Sequence, residues 1–528
     1  MKKLLLLSAL LIFSFTMRAQ VKFQDLYGDV NLDVAQSIKK TFDGGYIMVG
    51  STGPNSIDSS EVGIFRLNAN GDLVWSSRAE AYKDDFINDV VQMSDGNFLL
   101  VGSTYSSPLD TVYSDIVIIK VDDSGFVIWS KVFGGADFDE AQSVVDLGND
   151  QYVILGNTWS YGTALKSALA IKIDANGTQL WSEINNTTVS NFYYGGAKTT
   201  AGFIAVGGTF NNAGGTEFDH YITNFDSSGN ILWNKRCGTI GSDWSYAVHP
   251  VSSGGFIVAG VSVVNSEGSS DMNIFKLDNS GNTVWNYNYG GAQYERPSSI
   301  LETPEGNFVV AGYTNVGDSV NVINQDLLAE ISSDGTILWA HTYGDVTATS
   351  ECYSMISTGD GYALAGYTIG FQTGNIGDAY LVKTDTAGIS GCYESNFNLI
   401  RNNTTFTDSL GTSDQLITIN ESTAIYNTTL QINQFGQICF TDGTSNLDNM
   451  ISPDLFPNPV VNTLHIRMND AILNGKITVK DIAGRTILSL ETDNQDELQI
   501  PVAGLSPGMY FVNIKDDQRS YSTSFIHQ

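Results

Sequence analysis

The sequence predicts an all-β chain: a seven-bladed β-propeller followed by a small β-sandwich. Six tryptophans, Trp75, Trp129, Trp181, Trp233, Trp285 and Trp339, recur 52 to 54 residues apart. A fixed period of that length marks repeated supersecondary units. Each period holds four short β-rich runs bounded by turn residues, with no amphipathic helix among them. Four-stranded units repeated radially make a propeller.

The unit from Trp129 to Trp181 shows the pattern. Its runs are Ala141–Leu147, Tyr152–Gly156, Ala168–Ile173 and Thr178–Trp181, with the turn Asp174-Ala-Asn-Gly177 before the last. We denote the four positions A to D, with the tryptophan on D. A, B and C occur seven times, ending with Cys352–Ser357, Tyr362–Gly366 and Ala379–Thr384. D with its tryptophan occurs six times, and the missing one is at the N-terminus. Phe23 holds the tryptophan place there, because Gly28 follows it at the distance at which Gly134 follows Trp129. Residues 21–27 are therefore expected to complete the last blade beside Ala379–Thr384, pairing two edges that would otherwise invite aggregation.

The D signature, as in Asp226-Ser-Ser-Gly229…Trp233 and Asp278-Asn-Ser-Gly281…Trp285, resembles the Trp-docking repeat of quinoprotein-like propellers. The resemblance covers residues 21–390 and implies architecture. No adjacent cysteine pair is present, so a quinone site is not implied and no cofactor is expected. The sialidase Asp-box is similar, but only Asp334…Trp339 has its spacing.

Meander geometry puts the A–B and C–D turns at one end of each sheet and the B–C and D–A loops at the other. The second face carries the long, unlike loops, where binding usually resides. Ten residues after each Trp-place residue, Asp33, Asp85, Asp139, Asn191, Asp243 or Glu295 opens strand A, and Glu351 fills the place in the seventh unit. Such a carboxylate ring could hold a hard cation. A residue repeated in every blade is more often architectural, bonding backbone N–H groups of its own loop, so no metal is expected. The repeated Asp115, Asp219, Asp271, Asp326 and Asp378 before strand C read the same way.

Residues that break the repeat are better site candidates. Tyr193, Tyr194, Trp244, Tyr246, Tyr294 and Arg296 cluster at successive D–A loops, and Trp159 and Tyr161 open a B–C loop. Aromatic platforms suit the apolar faces of sugar rings; the competing role is packing between blades. No Gly-x-Ser-x-Gly, His-Glu-x-x-His or phosphate-loop motif occurs. The expected function is therefore a non-catalytic binding or adhesion module for a glycan or a surface protein. The alternatives are a polysaccharide lyase or glycosidase on the same scaffold, and a structural surface component.

The chain is acidic, with 57 Asp+Glu against 26 Lys+Arg and a net charge of -31 over 528 residues. That excludes nucleic-acid or anionic-membrane binding through bulk charge. Lys2-Lys3, the apolar Leu4–Phe15 and the zone Met17–Gln20 read as a signal peptide, residues 1–19. No transmembrane segment is expected in the mature chain. Of the four cysteines, Cys392 and Cys439 are expected to pair. Cys237 and Cys352 lie in non-adjacent repeats and are not expected to meet.

The C-terminal stretch reads Phe456-Pro457-Asn458-Pro459, then Asp481-Ile-Ala-Gly484-Arg485, then Leu505-Ser-Pro-Gly508-Met-Tyr510-Phe-Val512. These motifs in order resemble the type A C-terminal sorting domain of the type IX secretion system of Bacteroidota. The resemblance implies an Ig-like sandwich, the secretion machinery as partner, passage across the outer membrane, and attachment at the surface or release. The tail Phe525-Ile-His-Gln528 departs in lacking a terminal lysine. The expected domains are a propeller over 20–391, a linker with some strand content over 392–452, and the sorting domain over 453–528.

Overall fold

The computed structural model describes residues 21–28, 31–53, 60–80, 83–109, 112–162, 166–185, 188–210, 217–263, 270–291, 293–317, 322–371, 377–410, 415–417, 419–422, 427–431, 435–441, 454–456, 460–472, 475–481, 485–492, 495–515 and 520–527. The expected signal peptide lies outside them. The chain forms two compact units, residues 1–442 and 443–528.

The first unit is the seven-bladed propeller. Blade 3 is typical: Asp139–Gly148, Gln151–Thr158, Ser167–Asp174 and Gln179–Ile184 pair antiparallel in sequence order. The middle strands are buried along nearly their whole length, because both faces pack against neighbouring blades. That explains their continuous apolar runs in place of strict alternation. Closure is as expected. Lys22–Tyr27 is the fourth strand of blade 7, with Phe23 opposite Lys383 and Tyr27 opposite Ala379.

Five of the six tryptophans dock on the glycine of the next blade's C–D turn, and at Gly335 Tyr287 takes the place of Trp285. Gly125 faces Trp75, Gly177 faces Trp129, Gly229 faces Trp181 and Gly281 faces Trp233, while Phe23 takes the same place over Gly71. Trp75 Nε1 donates to Asp123 O at 2.9 Å and Trp233 Nε1 to Asn279 O at 3.0 Å, so the indole also ties the next turn. The turn itself is held by its aspartate: Asp174 Oδ1 accepts the N–H groups of Asn176 and Thr178, both at 2.8 Å. Glycine is required twice over. Gly229 has φ +93, and a Cβ there would lie 3.1 Å from the Trp181 ring.

The stretch read as a linker is corrected. Residues 394–441 form a belt that adds a fifth, outermost strand to every blade. It visits the blades in reverse order. Glu394–Asn396 lies on blade 6, Ile400–Asn403 on blade 5, Thr407–Leu410 on blade 4 and Gln415–Ile417 on blade 3. Asn420–Ser422 follows on blade 2, Asn427–Gln431 on blade 1 and Phe435–Thr441 on the closing strand of blade 7. The belt is anchored between strands. Leu399 and Ile419 are buried in blade cores and Phe406 packs on Phe275. Glu421 pairs with Lys131 at 2.6 Å, and Arg401 lies over Tyr287. Cys392, where the belt begins, is disulfide-bonded, whereas Cys237 and Cys352 are buried and in no disulfide. The Cys439 side chain lies outside the described set; its backbone pairs with Gln24, whose amide donates to Cys392 O.

The second unit is a β-sandwich. Asp454–Phe456, Thr463–Ile472 and Gln495–Pro501 form one sheet. Thr486–Thr492, Gly475–Asp481, Gly508–Lys515 and Ser520–His527 form the other. Leu464, Ile466, Val479, Ile500, Val512 and Phe525 fill the core between them. Tyr510 stacks on Phe525 and its hydroxyl donates to Ser506 O at 2.8 Å, which fixes the Leu505–Gly508 turn. Of the expected sorting motif, Pro457, Asn458, Pro459 and Gly484 lie outside the described residues.

Two outcomes follow. Gly229→Ala should lower stability by about 1–3 kcal/mol, through a strained φ and displacement of Trp181. A denaturation midpoint equal to wild type contradicts the docking argument. Peptide mapping under non-reducing conditions should recover Cys392 crosslinked, with Cys237 and Cys352 alkylated only after unfolding; a Cys237–Cys352 crosslink contradicts the blade assignment.

Candidate functional site

The B–C and D–A loops share one face, and the acidic ring sits at its inner edge. Asp33, Asp85, Asp139, Asn191, Asp243 and Glu295 are all buried and all open strand A. Register corrects the seventh member. Ser350 lies opposite Thr368 as Glu295 lies opposite Thr314, so Ser350 holds the place and Glu351 corresponds to Arg296.

The ring carboxylates bond their own loops. Asp139 accepts Gly135 N–H at 2.9 Å and Ser160 Oγ–H at 2.7 Å. Asp243 accepts Thr239 N–H at 2.6 Å, and Glu295 accepts Gly291 N–H at 3.3 Å and Thr314 Oγ1–H at 2.9 Å. A second buried carboxylate stands beside each. A Cβ on Gly238 would lie 2.6 Å from Asp219 Oδ1 and 2.8 Å from Asp243 Oδ2. The pairs Asp115–Asp139, Asp271–Glu295 and Asp378–Asp33 flank Gly134, Gly290 and Gly28 in the same way. Burial pushes Asp139 up to about 6, and Asp243 and Glu295 up to about 7. Among the described residues no three His, Cys, Asp or Glu side chains gather as a metal site.

The sevenfold pattern breaks on the side of blades 3 to 7. A cavity of about 350 Å³ opens there, between blades 3, 4 and 5. Trp159 and Lys166 come from the B–C loop of blade 3. Phe192 and Tyr194 come from strand A of blade 4, Phe210 and Phe218 from the two ends of its B–C loop, and Trp244 from strand A of blade 5. Ser190 completes the lining. The rings brace one another: Phe210 stacks on Phe218 at 4.2 Å, and Phe192 meets Phe218 edge-on at 5.4 Å. Lys166 Nζ stands 4.5 Å from the centre of the Trp159 ring and 4.8 Å from that of Phe192. Burial holds this ammonium below the usual lysine range.

A tyrosine cluster continues from the cavity toward blade 7. Tyr194 stacks on Tyr246 at 5.2 Å, and the Arg296 guanidinium lies 4.3 Å over Tyr246. Arg296 donates to Tyr313 Oη at 3.1 Å, and Tyr294 packs on Tyr313. Tyr353 donates to Glu351 Oε2 at 2.7 Å. The equivalents of Tyr194 in blades 1 to 3 are Gln36, Asn88 and Gln142, so this surface belongs to one side of the ring.

Of the residues expected at the site, Trp159, Tyr194 and Trp244 line the cavity, and Tyr246, Tyr294 and Arg296 adjoin it. Tyr193 does not: it is buried between blades and donates to Thr223 Oγ1 at 2.8 Å. Tyr161 is also structural. Its hydroxyl donates to Gly134 O at 2.8 Å and accepts the belt N–H of Asn420 at 3.2 Å. Sequence reasoning missed Lys166, Phe192, Phe210 and Phe218. Phe192 carried little signal, since blade 2 also holds a phenylalanine, Phe86, at its place.

Residues 454–528 match the family described as the secretion system C-terminal sorting domain. The C-terminal sandwich is thus a type IX sorting domain, and the chain is exported to the cell surface or beyond. No helix of the described residues is long and apolar enough to cross a membrane. No curated protein matches the chain. Among solved structures, Sqt1 from Chaetomium thermophilum is similar at 9% identity and TM-score 0.38, covering 69% of this chain and 100% of that one. PorZ, a surface component of the type IX secretion system of Porphyromonas gingivalis, is similar at 9% and 0.20, covering 96% and 100%. A GH43_12 protein from a capybara gut metagenome is similar at 8% and 0.28, covering 98% and 92%. Likenesses this distant carry no argument about what this chain binds.

The carboxylate pairs set a pH dependence. A carboxyl whose folded pKa is raised holds its proton in the native state and loses it earlier in the unfolded one. Its contribution is present at low pH and lost as pH rises through about 6 to 7, the range of Asp139, Asp243 and Glu295. The melting temperature should therefore fall between about pH 4 and 7 and level off above, and Asp243→Asn should flatten the fall. A melting temperature that rises over that interval contradicts the pairing.

Proposed function

We propose that this exported propeller is a non-catalytic binding module whose ligand is a glycan, taken by the aromatic cavity between blades 3, 4 and 5. The observation that carries this reading is the break in symmetry. Seven blades share one fold, and among the described residues this sector of the loop face gathers Trp159, Phe192, Phe218 and Trp244 around an open space. Rings fixed edge-to-face offer flat apolar platforms beside a few polar groups, the combination that suits a pyranose with an apolar face and hydroxyl rim.

The lining favours binding over turnover. Among the described residues it contains Lys166, Ser190 and Tyr194 as polar groups and no carboxylate or imidazole. Burial keeps the Tyr194 phenol protonated, up to about 12. Hydrolysis or elimination at a sugar needs a proton donor and acceptor poised near neutrality. The most deeply buried imidazole of the propeller, His220, is held between Ser245 and Asn273 with its pKa pushed down to about 3 by burial.

A glycan array probed with the mature chain should yield a restricted set of ligands. Trp244→Ala should weaken binding to them by roughly tenfold, the worth of one stacked ring, with the fold intact by circular dichroism. Unchanged binding in that variant places the ligand elsewhere, and release of shortened product from any ligand contradicts the non-catalytic reading.

A further inference from the structure

The lysine in the cavity points to the charge of the ligand. Lys166 enters from the blade 3 loop just ahead of Ser167–Asp174 and lays its ammonium over Trp159 and Phe192. Ring faces answer its charge but not its three N–H donors. Among the described residues no carboxylate forms an ion pair with it; Glu140 acts on it only at longer range. A lysine kept apart from carboxylates is out of keeping with a chain holding 57 Asp+Glu and 26 Lys+Arg. A desolvated, unpaired ammonium lining a cavity loses hydration, and an incoming anion restores what it lost.

A second cation lies farther along the same surface. Arg296 rests on Tyr246 at 4.3 Å and on Tyr313 at 5.8 Å, and Tyr246 stacks on the cavity residue Tyr194. No carboxylate pairs with Arg296 among the described residues; its guanidinium donates instead to the Tyr313 hydroxyl. Two cations joined by a run of aromatic rings match a chain of sugar rings that bears repeated negative charge. A neutral glycan would leave both without an anionic partner.

Resting on the reading of this cavity as a glycan site, we propose that its ligand is an acidic glycan of the uronic-acid type. One ring packs among Trp159, Phe192 and Trp244 with its carboxylate on Lys166 Nζ, and a further carboxylate of the same chain meets Arg296.

Calorimetric titration of the full chain with oligogalacturonate, and with a neutral cello-oligosaccharide of equal length, tests this. Wild type should bind the acidic oligomer about tenfold or more tightly than the neutral one, the worth of a charged hydrogen bond. That preference should shrink at roughly 0.5 M salt. Lys166→Met, which keeps the apolar stem, should abolish the preference, and Lys166→Arg should keep it. Melting temperatures establish that both variants fold, and Lys166→Gln replaces Lys166→Met if the latter melts early. Equal affinity for the two oligomers, with both lost in Trp244→Ala, overturns the acidic assignment and leaves the glycan site standing. A preference that survives Lys166→Met also overturns it. Binding of neither oligomer overturns the acidic proposal, and an array that finds no glycan at all overturns the site itself.

Discussion

The fold depends on an indole lying on a bare backbone turn. Each fourth strand carries its ring outward onto the next blade's C–D turn, where a glycine with positive φ leaves room. The contact is flat on both sides and repeats around the ring, so it sets the spacing between blades. Tyrosines reinforce it: Tyr27 donates to Gly71 O and Tyr289 to Gly335 O, both at 2.7 Å. The glycine cannot be exchanged without moving the ring, nor the ring without uncovering the turn. That mutual requirement explains why the tryptophan and its Asp-x-x-Gly turn are the parts of the repeat most legible in the sequence.

Two devices then remove the edges such a ring would expose. Strand Lys22–Tyr27 closes blade 7, so the two ends of the repeat array are held together. The belt covers the outer edge of every blade. An uncovered fourth strand would present a row of free backbone donors and acceptors, a template for association with other chains. The belt satisfies them with strands of three to seven residues, each too short to stand alone. One large apolar residue at intervals, as at Leu399, Phe406 and Ile419, pins it between blades.

Closure, the blade count and the sorting sandwich could be read from the sequence because each rests on a local signal: Phe23 in register with the tryptophans, seven copies of strands A to C, and a run of motifs at the end. The belt could not. Its Asn- and Thr-rich strands have no period of their own, and their partners lie up to several hundred residues away, so they read as a linker. The seventh ring position was misplaced because Ser350 can only be recognised by its pairing with Thr368. Tyr193 and Tyr194 are adjacent in sequence, yet strand alternation sends one between blades and the other to the cavity. Lys166 had no signal at all; a lone lysine in a polar loop becomes notable only when two aromatic rings are found beneath it.

Export imposes a requirement that this architecture meets. A chain delivered outside the cell must hold its fold without cytoplasmic chaperones, and an edge-free ring is suited to that. The site we propose lies in a sector where the repeat departs from itself. The ring stays free of open edges only while the belt is docked around all seven blades in solution. Hydrogen–deuterium exchange of the full chain tests it directly. Amides of the fourth strands, such as those in Leu73–Glu80, Ile231–Gly238 and Thr283–Gly290, should be protected to the level of the second and third strands. Fast exchange in the fourth strands while the inner strands stay protected would mean that the edges are open and the belt is not seated.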